Sequence, residues 1–325
     1  MMALVTGGSG FIGYHVARKL RERGVEVRAL VRPTSRVDAL RDLGVQLVTG
    51  DVTDEASVRR AVDGCETVYH VAAAYTFWMK DPAEMYRSNV EGTRIVLRSS
   101  SAAKRIVYTS SVGALKASPD GTPSDETTPV TLRDMVGHYK TSKFQAQEAA
   151  LELARQGLPV VIVNPSTPVG PYDFKPTPTG QMIVDYLKGR MKAYVKTGLN
   201  LIAVEDAAEG HLLAAEKGKV GELYILGNRN MHLKEVFEAL AKITGIPAPW
   251  MRVPHWLPLS VAAMSTLKGK MLGRAPKLPL EQVRLSTKMM YFDSTKAVRE
   301  LGLPQSPPEE ALERAVRWFR ANGYA

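Results

Sequence analysis

Short apolar runs alternate with helical periods through the first 165 residues, which predicts an α/β protein: a doubly wound parallel sheet followed by a smaller, mostly helical C-terminal lobe. Two further observations point the same way. A glycine-rich turn joins the first apolar run to the first helical one, and after Pro168 prolines gather and the alternation weakens.

The predicted strands are residues 3–6, 25–31, 45–49, 67–71, 105–109 and 159–164. Most are continuous apolar runs, as strands covered on both faces require. Residues 11–23, 53–62, 83–101 and 135–155 carry the helical period between them. Repeated strand–helix–strand units place parallel strands side by side, with ligands at their carboxyl ends near the switch point. Residues 171–178 hold three prolines and read as a loop or lid. Helices follow at 183–189, 204–216, 233–244 and 308–321, with a short strand at 223–226. We therefore expect a Rossmann domain over 1–170, its sheet completed by strands from about 195–230, and a substrate-binding lobe over 171–325.

The chain has 325 residues and 45% hydrophobic content, enough for a sizeable core. No apolar run approaches the roughly 20 residues that span a bilayer, and no basic leader precedes an apolar stretch. The single cysteine, Cys65, excludes an intramolecular disulfide and a cysteine-based metal site. The six histidines lack metal-ligand spacing. A cytoplasmic, metal-free protein is expected. The net charge of +10 suits an anionic dinucleotide or an anionic lipid surface. With no zinc finger, RNA-binding signature or basic block, nucleic acid is not expected as a partner.

Gly7, Gly10 and Gly13 lie three apart between the first strand and the first helix. In a dinucleotide site the first permits a tight turn, the second lets backbone approach a pyrophosphate, and the third allows close packing. Phe11 and Ile12 then open a helix whose free N–H groups favour phosphate. The second strand, running through Val27-Arg28-Ala29-Leu30-Val31, ends on Arg32-Pro33 without the carboxylate an NAD ribose requires. Arg32, Ser35 and Arg36 suit a 2′-phosphate instead, so NADP(H) is the expected cofactor. Asp51, followed by Val52, either accepts from the adenine amino group or starts the next turn. Ala72 ends the fourth strand with small neighbours where a cofactor can pass close to backbone.

Tyr139 and Lys143 are four apart on a predicted helix, hence on one face. The ammonium and an oxidised nicotinamide together are expected to favour the phenolate, lower the phenol's pKa and fit the tyrosine for proton transfer, while the lysine also holds cofactor ribose hydroxyls. Ser111 lies 28 residues before Tyr139 at the end of the fifth strand, where a hydroxyl can hold the reacting oxygen. Ser110 could play that part instead. Tyr75, Phe77, Trp78 and Met79 either line an apolar substrate pocket or pack as aromatics under a loop; on the first reading Trp78 and Ser111 are the expected substrate contacts.

Taken in order, the glycine turn, Gly50-Asp51-Val52, His70-Val71-Ala72-Ala73, Asn89-Val90-Glu91-Gly92-Thr93, Thr109-Ser110-Ser111, Tyr139 with Lys143, and Asn164-Pro165 resemble the extended short-chain dehydrogenase/reductases. The turn at Val27–Pro33 looks like that of dihydroflavonol reductases. Gly137-His138-Tyr139-Lys140, Asn164–Pro171, Pro176–Gly180 and Phe292–Ala297 are similar to hopanoid-associated sugar epimerases. The resemblance implies Ser111, Tyr139 and Lys143 as catalytic residues, and a homodimer built on the helices of 83–101 and 135–155. It implies that Asn89 ties a helix to the sheet, and it points to a setting near bacterial hopanoid synthesis. One departure is Ala203-Val204-Glu205-Asp206, where these families usually carry His-Val-Asp-Asp.

Three functions compete: net carbonyl reduction or alcohol oxidation with NADP(H), nucleotide-sugar epimerisation with a retained NAD, and a catalytically silent cofactor sensor. Arg32 argues against the second and the intact Ser111, Tyr139 and Lys143 set against the third. Finally, Leu257, Val261, Met264, Leu267 and Met271 fall on one helical face of a segment with a basic end. That face either rests weakly on a membrane surface or packs against the second lobe.

Overall fold

The structure, a computed structural model, describes residues 1–75, 81–118, 120–272, 274–276 and 280–325. Its chain opens with β1 (Met2–Thr6), α1 (Phe11–Glu22), β2 (Glu26–Val31), α2 (Asp38–Asp42) and β3 (Gln46–Thr49). α3 (Glu55–Val62) crosses back to β4 (Thr67–His70), followed by α4 (Pro82–Tyr86), α5 (Gly92–Ser99), β5 (Arg105–Thr109), α6 (Gly137–Arg155) and β6 (Val160–Pro165). Next come β7 (Thr167–Val169), α7 (Pro178–Leu187), β8 (Ala193–Val195), β9 (Gly198–Ala203), α8 (Val204–Lys217), β10 (Leu223–Leu226) and β11 (Arg229–His232). The chain continues through α9 (Leu233–Thr244), β12 (Met251–Val253), α10 (Trp256–Leu272), α11 (Leu280–Leu285), β13 (Met289–Met290), α12 (Thr295–Leu301) and α13 (Pro308–Ala321).

Seven parallel strands form a Rossmann-type sheet in the order β10-β6-β5-β4-β1-β2-β3. Parallel neighbours need crossovers, so helices cover both faces. α1 and α8 pack on one side, and α3, α5 and α6 on the other. The strand pleat divides the core between them: Ala3, Val5, Val161 and Val163 lie on the side of α1 and α8, whereas Leu4, Val160 and Ile162 lie on the side of α3, α5 and α6. All seven are fully buried. The chain builds outward from β1 on one flank and from β4 on the other. β1 and β4 pair with Thr6 opposite His70, which sets their carboxyl ends side by side at the switch point.

A second, four-stranded sheet holds β11, β9 and β13, with β7 also paired to β9; β8 and β12 form a two-stranded ribbon. α7, α9 and α13 cover a separate core that includes Ile183, Leu201, Val236, Phe237 and Phe319. Of the later strands, only Leu223–Leu226 joins the main sheet; Gly198–Ala203 turns into the second one. Residues 83–101 are not one α-helix either. A π-turn at Arg87–Glu91 separates α4 from α5 and buries Asn89, and the Thr93 hydroxyl donates to the Asn89 carbonyl at 2.6 Å. Among the described residues, no helix is long and apolar enough to cross a membrane.

Candidate active site

The glycine turn sits at the switch point. Gly7 adopts φ +71°, and a Cβ there would lie 2.7 Å from the Ala72 nitrogen. Only glycine lets β1 and the end of β4 approach this closely. Gly10 donates its N–H to the Gly7 carbonyl at 2.9 Å. A Cβ on Gly13 would overlap the Gly7 carbonyl oxygen and come within 2.7 Å of its carbon. Gly13 thus packs the helix against the turn itself. Gly10 differs: within 4 Å its Cβ would meet only the Gly7 oxygen, at 3.2 Å. No side chain caps α1, so the N–H groups around Phe11 and Ile12 face that open space at the positive end of the helix.

At the end of β2, Arg32 and Arg36 are exposed. Ser35 shapes this corner, donating its N–H to the Arg32 carbonyl at 2.9 Å and accepting the Arg32 N–H on Oγ at 3.1 Å. The nearby carboxylate of Asp38 pairs with Arg41 at 3.4 Å. Arg36 also lines a cavity of about 190 Å³ with Gly8, Ser9, Tyr14, Leu40 and Trp318. Asp51 does start a turn, since its Oδ1 accepts from the Thr53 N–H at 2.9 Å and the Thr53 hydroxyl at 2.7 Å. Val52 packs against Gly92 of α5, where a Cβ would lie 2.9 Å from its Cγ2.

Tyr139, Lys143 and Ser111 converge beyond the end of β5. Ser111, not Ser110, lies beside the Tyr139 ring: a Cβ on Gly113 between them would meet Ser111 Oγ at 3.2 Å and Tyr139 Cε1 at 3.4 Å. Ser110 is turned away and donates to Gln147 Oε1 at 2.7 Å. Asn164 fixes the backbone here, donating Nδ2 to the Ser111 carbonyl at 2.9 Å and to Gln147 Oε1 at 2.7 Å. Burial pushes the Tyr139 phenol up to about 12 against the opposing Ser111 hydrogen bond. Lys143 alone does not offset that burial. Burial holds Lys143 itself down to about 7, and its Nζ donates to the Thr109 carbonyl at 2.7 Å and the Tyr108 hydroxyl at 3.4 Å. The ammonium is committed to the end of β5. Tyr75 packs on Tyr139 with ring centroids 4.8 Å apart and the planes tilted by 49°; Trp78, with Phe77 and Met79, lies outside the described residues.

Sequence reasoning missed the polar chain beneath these groups. The Thr93 hydroxyl is spent on the Asn89 carbonyl, so it accepts from His70 Nε2 at 3.1 Å. His70 Nδ1 then accepts from the Thr6 hydroxyl at 2.7 Å, whose oxygen accepts the Ala72 N–H at 3.2 Å. Burial first, then Lys143, holds the His70 imidazole down to about 3, so it stays neutral and this tautomer is the one the partners require. Asn89 does more than tie a helix to the sheet. It clamps the Ala74 backbone through 2.7 and 3.1 Å bonds and donates to Ser142 Oγ at 2.9 Å, one turn from Tyr139. His211 buttresses β5, Nδ1 donating to the Ala207 carbonyl at 2.7 Å while Nε2 accepts from Thr109 Oγ1 at 3.0 Å. At the departure noted above, Glu205 and Asp206 hold the C-terminal segment: Arg314 donates to Glu205 at 3.2 Å and the Ser306 N–H to Asp206 at 2.7 Å.

Residues 3–227 match the NAD dependent epimerase/dehydratase family. Over 98% of its length the chain is 48% identical to a protein of Synechocystis sp. named for dihydroflavonol 4-reductase, covering 95% of that protein. It is 34% identical to sterol demethylase protein B of Methylococcus capsulatus over 99% of both chains. The crystal structure of gox2253 superposes with a TM-score of 0.88 over 99% of both chains, at 45% identity.

Proposed function

The chain belongs to the NAD dependent epimerase/dehydratase family, and from that premise we propose that it is an NADP(H)-dependent carbonyl reductase or secondary-alcohol dehydrogenase with Tyr139 as acid and base. The observation that carries this reading is the buried Tyr139 phenol, kept protonated by that burial, with the Ser111 hydroxyl beside its ring. A neutral phenol beside a hydroxyl can bind a carbonyl oxygen and give it a proton.

The residues fit the dinucleotide. The space over Gly10 and the uncapped N-terminus of α1 suit a pyrophosphate, with Gly7, Gly13, Phe11 and Ile12 shaping the turn. Arg32 and Arg36 would bind the 2′-phosphate, Asp51 Oδ2 the adenine amino group, and Val52 and Ala72 the flanking surface. When bound, NADP(H) supplies or accepts the hydride. Ser111 steadies the substrate oxygen, Tyr139 moves its proton, and Lys143 holds ribose hydroxyls from its seat on the Thr109 carbonyl. A panel of ketones, aldehydes and nucleotide sugars with NADPH tests the reading. Net loss of absorbance near 340 nm is expected with a carbonyl substrate, whereas an epimerase would change its substrate without net loss.

Arg32→Ala should weaken NADPH binding by roughly 1.5–3 kcal/mol, the range for hydrogen bonds to charged groups, and leave NADH nearly unchanged. Titration of both cofactors reads this directly, and equal losses would overturn the NADP(H) assignment. We also propose a homodimer. α4, α5 and α6 present a groove lined by Tyr86, Val90, Leu132, Phe144 and Glu148, which a symmetric copy would fill. Light scattering should give twice the 35.6 kDa chain mass; a monomer mass at every concentration would contradict it.

A further inference from the structure

We propose that α10 is a membrane-docking helix that lays its outer face on an anionic phospholipid surface. The seam by which the helix packs inward is made of small residues. Ala262 and Gly269 are buried and Thr266 is half-buried. Gly269 sits so close to the following turn that a Cβ would lie 2.7 Å from the Arg274 carbonyl oxygen. This seam rests on α11, whose Leu280 N–H donates to Thr266 Oγ1 at 3.2 Å. The large side chains point the other way. Leu257, Val261, Met264, Leu267 and Met271 are all exposed, Met264 at 73% and Met271 at 79%. Trp256, the first residue of the helix, is 66% exposed, and Trp250 just upstream is 82% exposed. A water-facing helix places these residue classes the opposite way round.

Packing against the second lobe is therefore not what this stripe does. Its charge identifies the occupant. No Asp or Glu occurs from residue 239 to 280, while that span holds Lys242, Arg252, Lys268, Lys270, Arg274 and Lys277. Arg252, Lys268 and Arg274 are exposed. Cations flanking an apolar face with tryptophan at its start match the headgroup layer of an acidic bilayer. A second copy docked on the same face would bring like charge against like charge. At 17 residues, α10 is about 25 Å long and lies along such a surface. Glu281 of α11 accepts from the His138 N–H at 3.4 Å, so the docked face is linked to the start of the helix bearing Tyr139. The proposal does not depend on the reaction assigned to that tyrosine.

Flotation of the full chain with vesicles of about 30 mol% phosphatidylglycerol in phosphatidylcholine tests it. At about 20 mM salt the protein should float, and the bound fraction should fall by about 500 mM as charges are screened. Met264→Ser, Leu267→Ser and Met271→Ser combined should cut vesicle binding about tenfold or more. Because those side chains are exposed, the thermal melt should not move. Lys268→Glu with Arg274→Glu should also abolish flotation. Wild-type protein left in the dense fraction at low salt would overturn the proposal, as would equal binding to pure phosphatidylcholine. So would a lipid-free dimer that the triple serine variant dissociates, because the face would then belong to a second copy.

Discussion

Tyr139→Phe should lower turnover with NADPH about 10²–10⁴-fold, the usual contribution of a positioned acid–base group, while NADPH still binds. The phenyl ring keeps its tilted contact with Tyr75, 4.8 Å away between centroids, and loses the hydroxyl that carries the transferable proton. Burial raises this phenol to about 12, well above the ordinary tyrosine range. The sign of that shift sets the pH dependence. Reduction needs the neutral phenol and keeps its donor across neutral pH; oxidation of an alcohol needs the phenolate and gains as pH rises. Single-turnover rates in both directions, with NADPH titration of the same variant, measure this. A variant retaining most of its activity would assign the proton to another group.

How far the molecule was legible depends on whether the cause was local. The six strands of the first half were readable because burial on both faces makes each a continuous apolar run. The second sheet and the ribbon were not. Thr167–Val169 of that sheet and the ribbon strands Ala193–Val195 and Met251–Val253 are three residues each, too short for a period of two to register. Their partners lie far along the chain. The site shows the same division. Spacing together with its strand and helix context pointed to the glycine turn, and to Tyr139 with Lys143 once the hydroxyls ending the fifth strand were added, because each is a local motif on one turn or one helix face. The choice of Ser111 over Ser110 needed the tertiary position of Gln147. The Thr6–His70 bond closes over a separation of 64 residues and leaves no local trace. The π-turn at Asn89 is invisible to a pattern of helical apolar positions, since one extra residue barely disturbs it. For α10, the apolar period identified a face but not its direction. Only the close packing of Gly269 and Ala262 shows that this face looks outward.

Gly13→Ala and Gly10→Ala should part company, although both add one methyl group to the same turn. The Gly13 Cβ would overlap the Gly7 carbonyl oxygen, with the Gly7 carbon 2.7 Å away and the Gly8 Cα 3.1 Å away. All of these are backbone atoms. The Gly7 carbonyl cannot swing aside, because it accepts the Gly10 N–H at 2.9 Å. Gly7 is itself wedged against Ala72 with φ +71°. Relief requires shifting α1 off β1, and α1 carries the buried Val16, Ala17 and Leu20. Gly13→Ala should therefore cost about 3 kcal/mol or more of stability, in the range of overpacking against backbone. The Gly10 Cβ meets one atom at 3.2 Å and otherwise open space, so its alanine variant should fold with less than about 1 kcal/mol lost. That open space is where a pyrophosphate would approach the N–H groups of α1. Gly10→Ala should bind NADPH at least about 100-fold more weakly, because the methyl group both fills the cradle and separates the anion from its donors. Thermal melts and NADPH titrations on the two variants separate these effects. Wild-type affinity in Gly10→Ala would move the pyrophosphate away from this turn. A wild-type melt in Gly13→Ala would mean that the first turn of α1 yields where the geometry says it is locked.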